Sequence, residues 1–208
     1  LEGVGQTQVN PKTGYDFAMG LRSMLRQDPD VVMVGEIRDQ ETARIAIQAS
    51  LTGHLVLSTV HTNSAVGAIT RLRDMGIEPF LLSSSLKTII SQRLVRRLCR
   101  HCKQENRLAG SMAGLFDIKT GTTVFGPKGC DHCDGTGYVG RIAVAESIQI
   151  DAKLKNMIHE KASEQELAKY AFQHTLSIDE AGKDLIISGI TSAEELIRIN
   201  NQKDDASL

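Results

Sequence analysis

Six positions in this 208-residue chain combine residue type and spacing in a way that suits chemistry. Four are its cysteines, Cys99, Cys102, Cys130 and Cys133, set as two C-x-x-C pairs with residues 103–129 between them. Two such knuckles supply the four thiolates of a closed tetrahedral zinc site, because the x-x spacing lets one turn present two sulfurs to one ion. No secretory pattern accompanies them, so metal binding outranks disulfides. Free or buried thiols are the bland alternative, and a redox role would not need a second pair. His101 and His132, inside the knuckles, are substitute ligands.

The other two positions are Glu36 and His61. In VVMVGEIRD, residues 31–39, an apolar run reaches Gly35 and an acid follows at once. In open α/β sheets ligands sit beyond the carboxyl ends of the strands. An acid there orients an attacking water or helps organise a metal ion near phosphates. The same Glu36 also reads as a solvated acid at a strand-to-helix turn. His61 lies in STVHTN, with Ser58, Thr59, Thr62 and Asn63 beside it. It reads as a structural strand-end histidine or as a donor to an anion, aided by the N–H groups of a following helix.

The elements that must position these groups follow from pattern. Asp16 to Gln27 fits a helix ended by Pro29, and Val31 to Val34 a parallel strand covered on both faces. Asp39 caps a helix that Gly53 stops, and residues 54–60 form a second strand. Strand, helix, strand makes a βαβ unit, so both polar strand ends emerge at one edge of the sheet. Further helices are expected from Asn63 to Met75 and from Pro79 to about Ser91. Residues 103–129 read as a loop-rich insertion and 140–148 as a strand. Beyond Asp151 the chain reads as helical, with capping boxes at Ser163/Glu166, Ser177/Glu180 and Thr191/Glu194.

Composition narrows the classes. Hydrophobic residues make up 41%, enough for a packed core. Lys+Arg is 24 against Asp+Glu 25, and the formal net charge of -1 argues against a dedicated nucleic-acid binder. No apolar run approaches the ~20 residues of a membrane span, and no signal peptide pattern occurs. The opening LEGVGQ without a Met is expected to mark a piece of a longer protein.

Three stretches carry a family resemblance. LRQDPDVVMVGEIRD resembles the Walker B region of the secretion ATPases, the motors of type II secretion and type IV pilus assembly, and TGHLVLSTVHTNSA resembles their His box. AITRLRDMGIEPFLLSSSL with QRLVRRLC, and the paired cysteines, match as well. The resemblance covers most of the chain, strongest over residues 1–102, and is closest in wording to the type II secretion members. Pilus extension motors are close behind, whereas retraction motors resemble the first half and typically lack the cysteine pairs.

The resemblance implies an α/β fold: the second half of a RecA-like P-loop NTPase core over 1–98, a four-cysteine zinc-binding subdomain over 99–140, and a strand with a helical region over 141–208. It implies that Glu36 is the catalytic Walker B acid, that Gly35, His61 and Thr62 bind or sense nucleotide, and that Cys99, Cys102, Cys130 and Cys133 hold structural Zn2+. Arg22 and Arg26 read equally as phosphate contacts across a subunit boundary and as partners of nearby acids. For Arg38 an ion pair with Asp28, Asp30 or Asp39 is favoured. ATP and Mg2+ would serve the full-length parent, a homo-hexamer on the cytoplasmic face of the inner membrane. It would associate peripherally and dock on the cytoplasmic domains of the secretion platform, with no nucleic acid involved. The pattern G-x-x-x-x-G-K-[ST] is absent, since Gly182-Lys183 precedes Asp184, and the family's acidic motif is absent too. Both are expected upstream of Leu1, so these residues alone are expected to be inactive. A rival reading comes from CDHCDGTGYVG, whose C-x-x-C-x-G-x-G resembles the zinc-domain repeat of Hsp40 co-chaperones. Cys102 is followed by Lys103-Gln104-Glu105 without those glycines, so only one copy exists. The alternative function is then a zinc-dependent partner-docking module without catalysis.

Overall fold

The computed structural model of the chain describes residues 2–205. The elements run α1 (Phe17–Leu25), β1 (Val31–Val34), α2 (Gln40–Leu51), β2 (Leu55–Ser58), α3 (Ala65–Asp74), α4 (Pro79–Ser85), β3 (Thr88–Leu98) and β4 (Gln104–Arg107). They continue as α5 (Gly110–Leu115), β5 (Thr123–Gly126), β6 (Tyr138–Gln149), α6 (Ala152–His159), α7 (Glu164–Ala171), α8 (Ile178–Ile187) and α9 (Ala193–Asp205). They divide into two compact units: residues up to Ile89 with Gln149–Ala171, and Ile90–Ile148 with the residues from Phe172 on. This division cuts across the motif-based boundaries at 98 and 140. The second unit opens inside β3, and α6 and α7 return to the first.

In the first unit β1 and β2 pair in parallel, Val31 with Leu55 through to Val34 with Ser58, and α2 connects them. Local chemistry sets the helix starts. Asp16 accepts from Met19 N–H, Asp39 from Thr42 N–H and Ser64 from Gly67 N–H, each satisfying a donor the helix leaves orphaned. Leu21, Ile69 and Leu82 are fully buried, each worth ~1.5–3 kcal/mol of transfer free energy. Helix α6 packs on α4 and α7 on α3.

The expectation that β1 is covered on both faces does not hold. Val32 and Val34 are buried, but Val31, Met33, Leu55 and Leu57 on the opposite face are about half exposed or more. Among the described residues this sheet has only two strands, and none of them covers that face.

The second unit holds β3 and β6 as one two-stranded sheet, and β4 and β5 as an antiparallel pair joined through α5. Val95, Phe116, Val144, Ile178, Ile186 and Leu196 form the centre of its core. The expected helix from Pro79 stops at Ser85 rather than near Ser91. Leu86 is already extended, and β-branched Thr88, Ile89 and Ile90 favour the strand that begins there. The 103–129 insertion is not loop-rich: it contains β4, α5 and β5. These elements are too short for a clear period, and single residues such as Leu108, Ala113 and Val124 anchor them.

Two of the expected capping boxes form, Ser163 with Glu166 and Ser177 with Glu180. The third does not. Thr191 is buried and donates its hydroxyl to the Arg96 carbonyl at 2.8 Å, so Ser192 accepts from Glu195 N–H instead. Glu195, 1% exposed, accepts from Arg96 N–H and is gripped by the guanidinium groups of Arg96 and Arg198 at 2.7–2.9 Å. Arg96 also lies over the Tyr138 ring at 4.2 Å, and Tyr138 shares a hydrogen bond with Ser192. Burial works to raise the Glu195 carboxyl, but the two arginines outweigh it and hold it down at about 2.

A carboxyl depressed in the folded state contributes stability above its unfolded value, about 4.3, and loses it as pH falls towards about 2. Protection against hydrogen exchange, relative to the intrinsic rate at each pH, should therefore fall across β3 and α9 through that window in the unaltered chain and much less in Glu195→Gln. Glu195→Ala should destabilise this unit by about 3 kcal/mol near neutral pH, read by denaturant titration.

Candidate functional site

Glu36 is placed by the last rung of the β1–β2 ladder. Beyond it the two chains stay tied: Ile37 N–H donates to the Thr59 carbonyl at 2.9 Å, and the Thr59 hydroxyl donates to the Gly35 carbonyl at 2.7 Å. These bonds bring two polar strand ends, 25 residues apart in sequence, to one edge, where Glu36 Oε2 lies 3.1 Å from His61 Nε2. Arg38 Nε lies 2.6 Å from the same oxygen. The Glu36 side chain is 19% exposed, whereas His61 is 81% and Arg38 70% exposed. The Arg38 hydrogen bond is the main influence lowering the Glu36 carboxyl below its usual value; burial opposes it and His61 assists. The group is an ionised acceptor with two donors on one oxygen.

The other expected residues disperse around this pair. Thr62 donates its hydroxyl to the Ser64 carbonyl at 3.0 Å, at the start of α3. Arg22 pairs with Glu41 on α2, and Arg26 makes a local bond to Ser23 at 3.4 Å; neither bonds to Glu36 or His61. Arg38 does form an ion pair, but with Glu36 rather than with Asp28, Asp30 or Asp39. Thr59 was not singled out from sequence, although its hydroxyl locks the two strand ends. Its only signal was its place in the STVHTN cluster.

In the second unit the four cysteine sulfurs lie within 4.8 Å of one another. Cys102 and Cys133 sulfurs are 3.7 Å apart, Cys130 and Cys133 3.8 Å, and Cys99 and Cys130 3.9 Å. A tetrahedron with metal–sulfur bonds of about 2.3 Å has edges of about 3.8 Å. The thiols are free and mostly buried, so the cluster fits a single metal ion. Both knuckles turn the same way: Cys102 and Lys103 N–H donate to the Cys99 carbonyl, and Cys133 and Gly135 N–H to the Cys130 carbonyl. The Cys99 N–H to Gly137 carbonyl bond, 2.9 Å, holds the knuckles together.

Burial raises the Cys133 thiol, but N–H groups of Cys130 and Gly137, each 3.2 Å from its sulfur, bring it down to about 7. Burial, with the neighbouring sulfurs, pushes Cys130 up to about 12. His101 and His132 are not part of the sulfur cluster. Their exposed rings stack on each other with centroids 4.0 Å apart.

Two glycines flanking the second pair have steric reasons. Gly137 has φ +77°, and a Cβ there would sit 2.4 Å from the Pro127 Cβ. Gly129, at φ +100°, passes so close to the Gly135 carbonyl oxygen that a Cβ would lie 2.5 Å from it.

Comparisons with known proteins agree on kinship. The sequence profile of the type II/IV secretion system protein family matches residues 1–198. The chain is 53% identical over 202 residues to type II secretion system protein E of Klebsiella pneumoniae, covering 97% of this chain and 41% of that protein. It is also 53% identical over 204 residues to type II secretion system ATPase E of Vibrio cholerae, with the same coverage of 97% and 41%. The chain thus spans about 41% of the length of these relatives. Among solved structures, the pilus retraction motor PilT with bound ADP superposes with TM-score 0.61 at 28% identity, over 88% of this chain and 43% of that one. The Legionella pneumophila ATPase DotB has the same fold, with TM-score 0.63 at 22% identity over 92% of this chain and 44% of that one.

Gly137→Ala should strain the second knuckle by about 1–3 kcal/mol, since both φ and space are wrong for a side chain. Its four thiols should then react faster with an aromatic disulfide than those of the unaltered chain under native conditions. Equal rates would mean that the knuckle accommodates the methyl group.

Proposed function

This chain belongs to the type II/IV secretion system protein family, and from that premise we propose that it is the C-terminal part of a hexameric ATPase that powers type II secretion by hydrolysing ATP. The observation that carries the reading is the Glu36–His61 contact at the shared end of two parallel strands, where α/β folds place their ligands. The α/β fold is that of the RecA-like secretion ATPases. Sequence relatives named type II secretion system protein E support the type II system over pilus extension.

On this reading Glu36 is the catalytic base. Ionised, it accepts a hydrogen bond from the attacking water, aligns it with the terminal phosphate and takes its proton. Arg38 competes for the same carboxylate oxygen, so its displacement from Glu36 raises the basicity available to water. His61, mostly exposed and already in contact with Glu36, senses the terminal phosphate as a donor. Thr62 and the N–H groups at the start of α3 add donors next to it. Arg22 and Arg26 contact phosphate across a subunit boundary in the hexamer, which requires Arg22 to leave Glu41. Mg2+, when bound with ATP, neutralises phosphate charge. The Glu36 carboxylate and the Thr59 and Thr62 hydroxyls are hard oxygen donors that suit it.

The loop that grips phosphate is not encoded in these residues and is assigned to the remainder of a protein of the relatives' length. That remainder would also cover the exposed apolar face of Val31, Met33, Leu55 and Leu57. No helix among the described residues is long and apolar enough to cross a membrane. On the proposed reading the full-length motor is cytoplasmic and docks peripherally on the inner-membrane platform. The metal in the four-cysteine site is zinc: four thiolates at tetrahedral spacing suit a borderline-soft ion in a closed structural site.

Elemental analysis should give close to one zinc per chain, and Cys→Ser at any ligand should speed hydrogen exchange over residues 99–140 first. No metal, with four freely titrating thiols, would overturn the assignment. In the full-length protein Glu36→Gln should bind ATP normally yet hydrolyse it roughly 10²-fold more slowly, while the 208 residues alone turn over negligibly. A folded, hexameric Glu36→Gln protein with the parental rate would remove Glu36 from catalysis. A partner-docking module would show no such dependence.

A further inference from the structure

The loop bearing His61 ends at Ser64, the N-cap of α3, and there it meets a residue from much later in the chain. The Ser64 hydroxyl accepts from Gly67 N–H at 2.9 Å and donates to Glu164 Oε1 at 3.3 Å. The Thr62 hydroxyl donates to the Ser64 carbonyl at 3.0 Å, so the residue after His61 is tied to the N-cap of α3. Glu164 opens α7, which packs on α3. At the far end of α3, Arg73 Nη1 donates to the Ala162 carbonyl at 3.0 Å, just before α7. Helix α3 is thus tied at both ends to the α6–α7 segment.

Two features support a specific role for the carboxylate. It stands at the N-terminus of α3, where the helix dipole and the orphaned N–H groups favour negative charge. Gly67 leaves room for it: a Cβ there would lie 2.9 Å from Ser64 Oγ and 3.4 Å from Glu164 Oε1.

We propose that Glu164 is a positioning residue for the His61 loop: by holding the α3 N-cap it fixes the imidazole against Glu36 and couples that loop to α7. This rests on the reading of His61 as the phosphate sensor. The coupling places Gln149–Ala171, which the chain reaches only after passing through the cysteine-bearing unit, in mechanical contact with the hydrolytic edge of the first unit.

Two measurements test it. Hydrogen exchange on the 208-residue chain should show the Gly67 amide and residues 62–66 exchanging about fivefold faster in Glu164→Ala, the scale of one lost hydrogen bond. Glu164→Gln, which keeps an acceptor oxygen but loses the charge, should fall between the parent and Glu164→Ala, closer to the parent. In the full-length ATPase Glu164→Ala should lower kcat about fivefold with KM within twofold, Glu164→Gln should recover most of it, and the loss should vanish in a His61→Ala background. Unchanged exchange in Glu164→Ala overturns the proposal. So does a Gln variant as impaired as the Ala variant, or a full loss persisting without His61. If His61→Ala itself turns over at the parental rate, the sensor reading fails and the catalytic part of the coupling with it, while the exchange result still decides whether Glu164 holds the loop.

Discussion

The register of a four-residue parallel ladder governs the candidate active edge. Val34 opposite Ser58 means that Gly35-Glu36 and Thr59-Val60-His61 leave the sheet side by side. A slip of one residue would turn alternate side chains to the other face, burying Val31 and Met33 and exposing Val32 and Val34. It would also separate Ile37 N–H from the Thr59 carbonyl and the Thr59 hydroxyl from the Gly35 carbonyl. The Glu36–His61 contact survives only in the register observed. The buried face of β1 enforces that register, because Val32 and Val34 have nowhere else to go.

The second unit is held by different means. It has a modest apolar core and two polar centres that bridge distant parts of the chain. One is the sulfur cluster, where the tight turns of both knuckles and left-handed glycines bring four thiols to tetrahedral spacing. The other is Glu195, whose two arginines outweigh the cost of burying a carboxylate. Each supplies long-range order that 103–129 and the short strands β4 and β5 lack on their own.

Charge at the Glu36 edge is arranged for exchange rather than permanence. Glu195 is enclosed and multiply bonded, whereas Glu36 keeps exposed partners that a ligand can displace. An exposed arginine bound to a carboxylate contributes little to stability, so releasing Arg38 or Arg22 costs the fold little. The same electrostatic attraction therefore serves structure where water is excluded and remains reversible where it is not.

Much of the local architecture was legible in the sequence. Asp16, Asp39, Ser163 and Ser177 announced helix starts because a cap needs only a residue and the N–H two or three positions on. The C-x-x-C spacing announced the sulfur cluster because a single turn sets the geometry of each pair. The apolar runs and the polar residues at their ends announced the βαβ unit and the meeting of the Glu36 and His61 strand ends at one edge. What the sequence did not disclose depends on partners far along the chain. Thr191 had a local capping partner in Glu194 but bonds to Arg96 instead, and Glu195 draws on a residue 99 positions away. The face of β1 that stays uncovered and the return of α6 and α7 to the first unit were likewise decided by tertiary structure. Periodicity specifies which face of a segment is apolar, but only the assembled chain decides what stands opposite it.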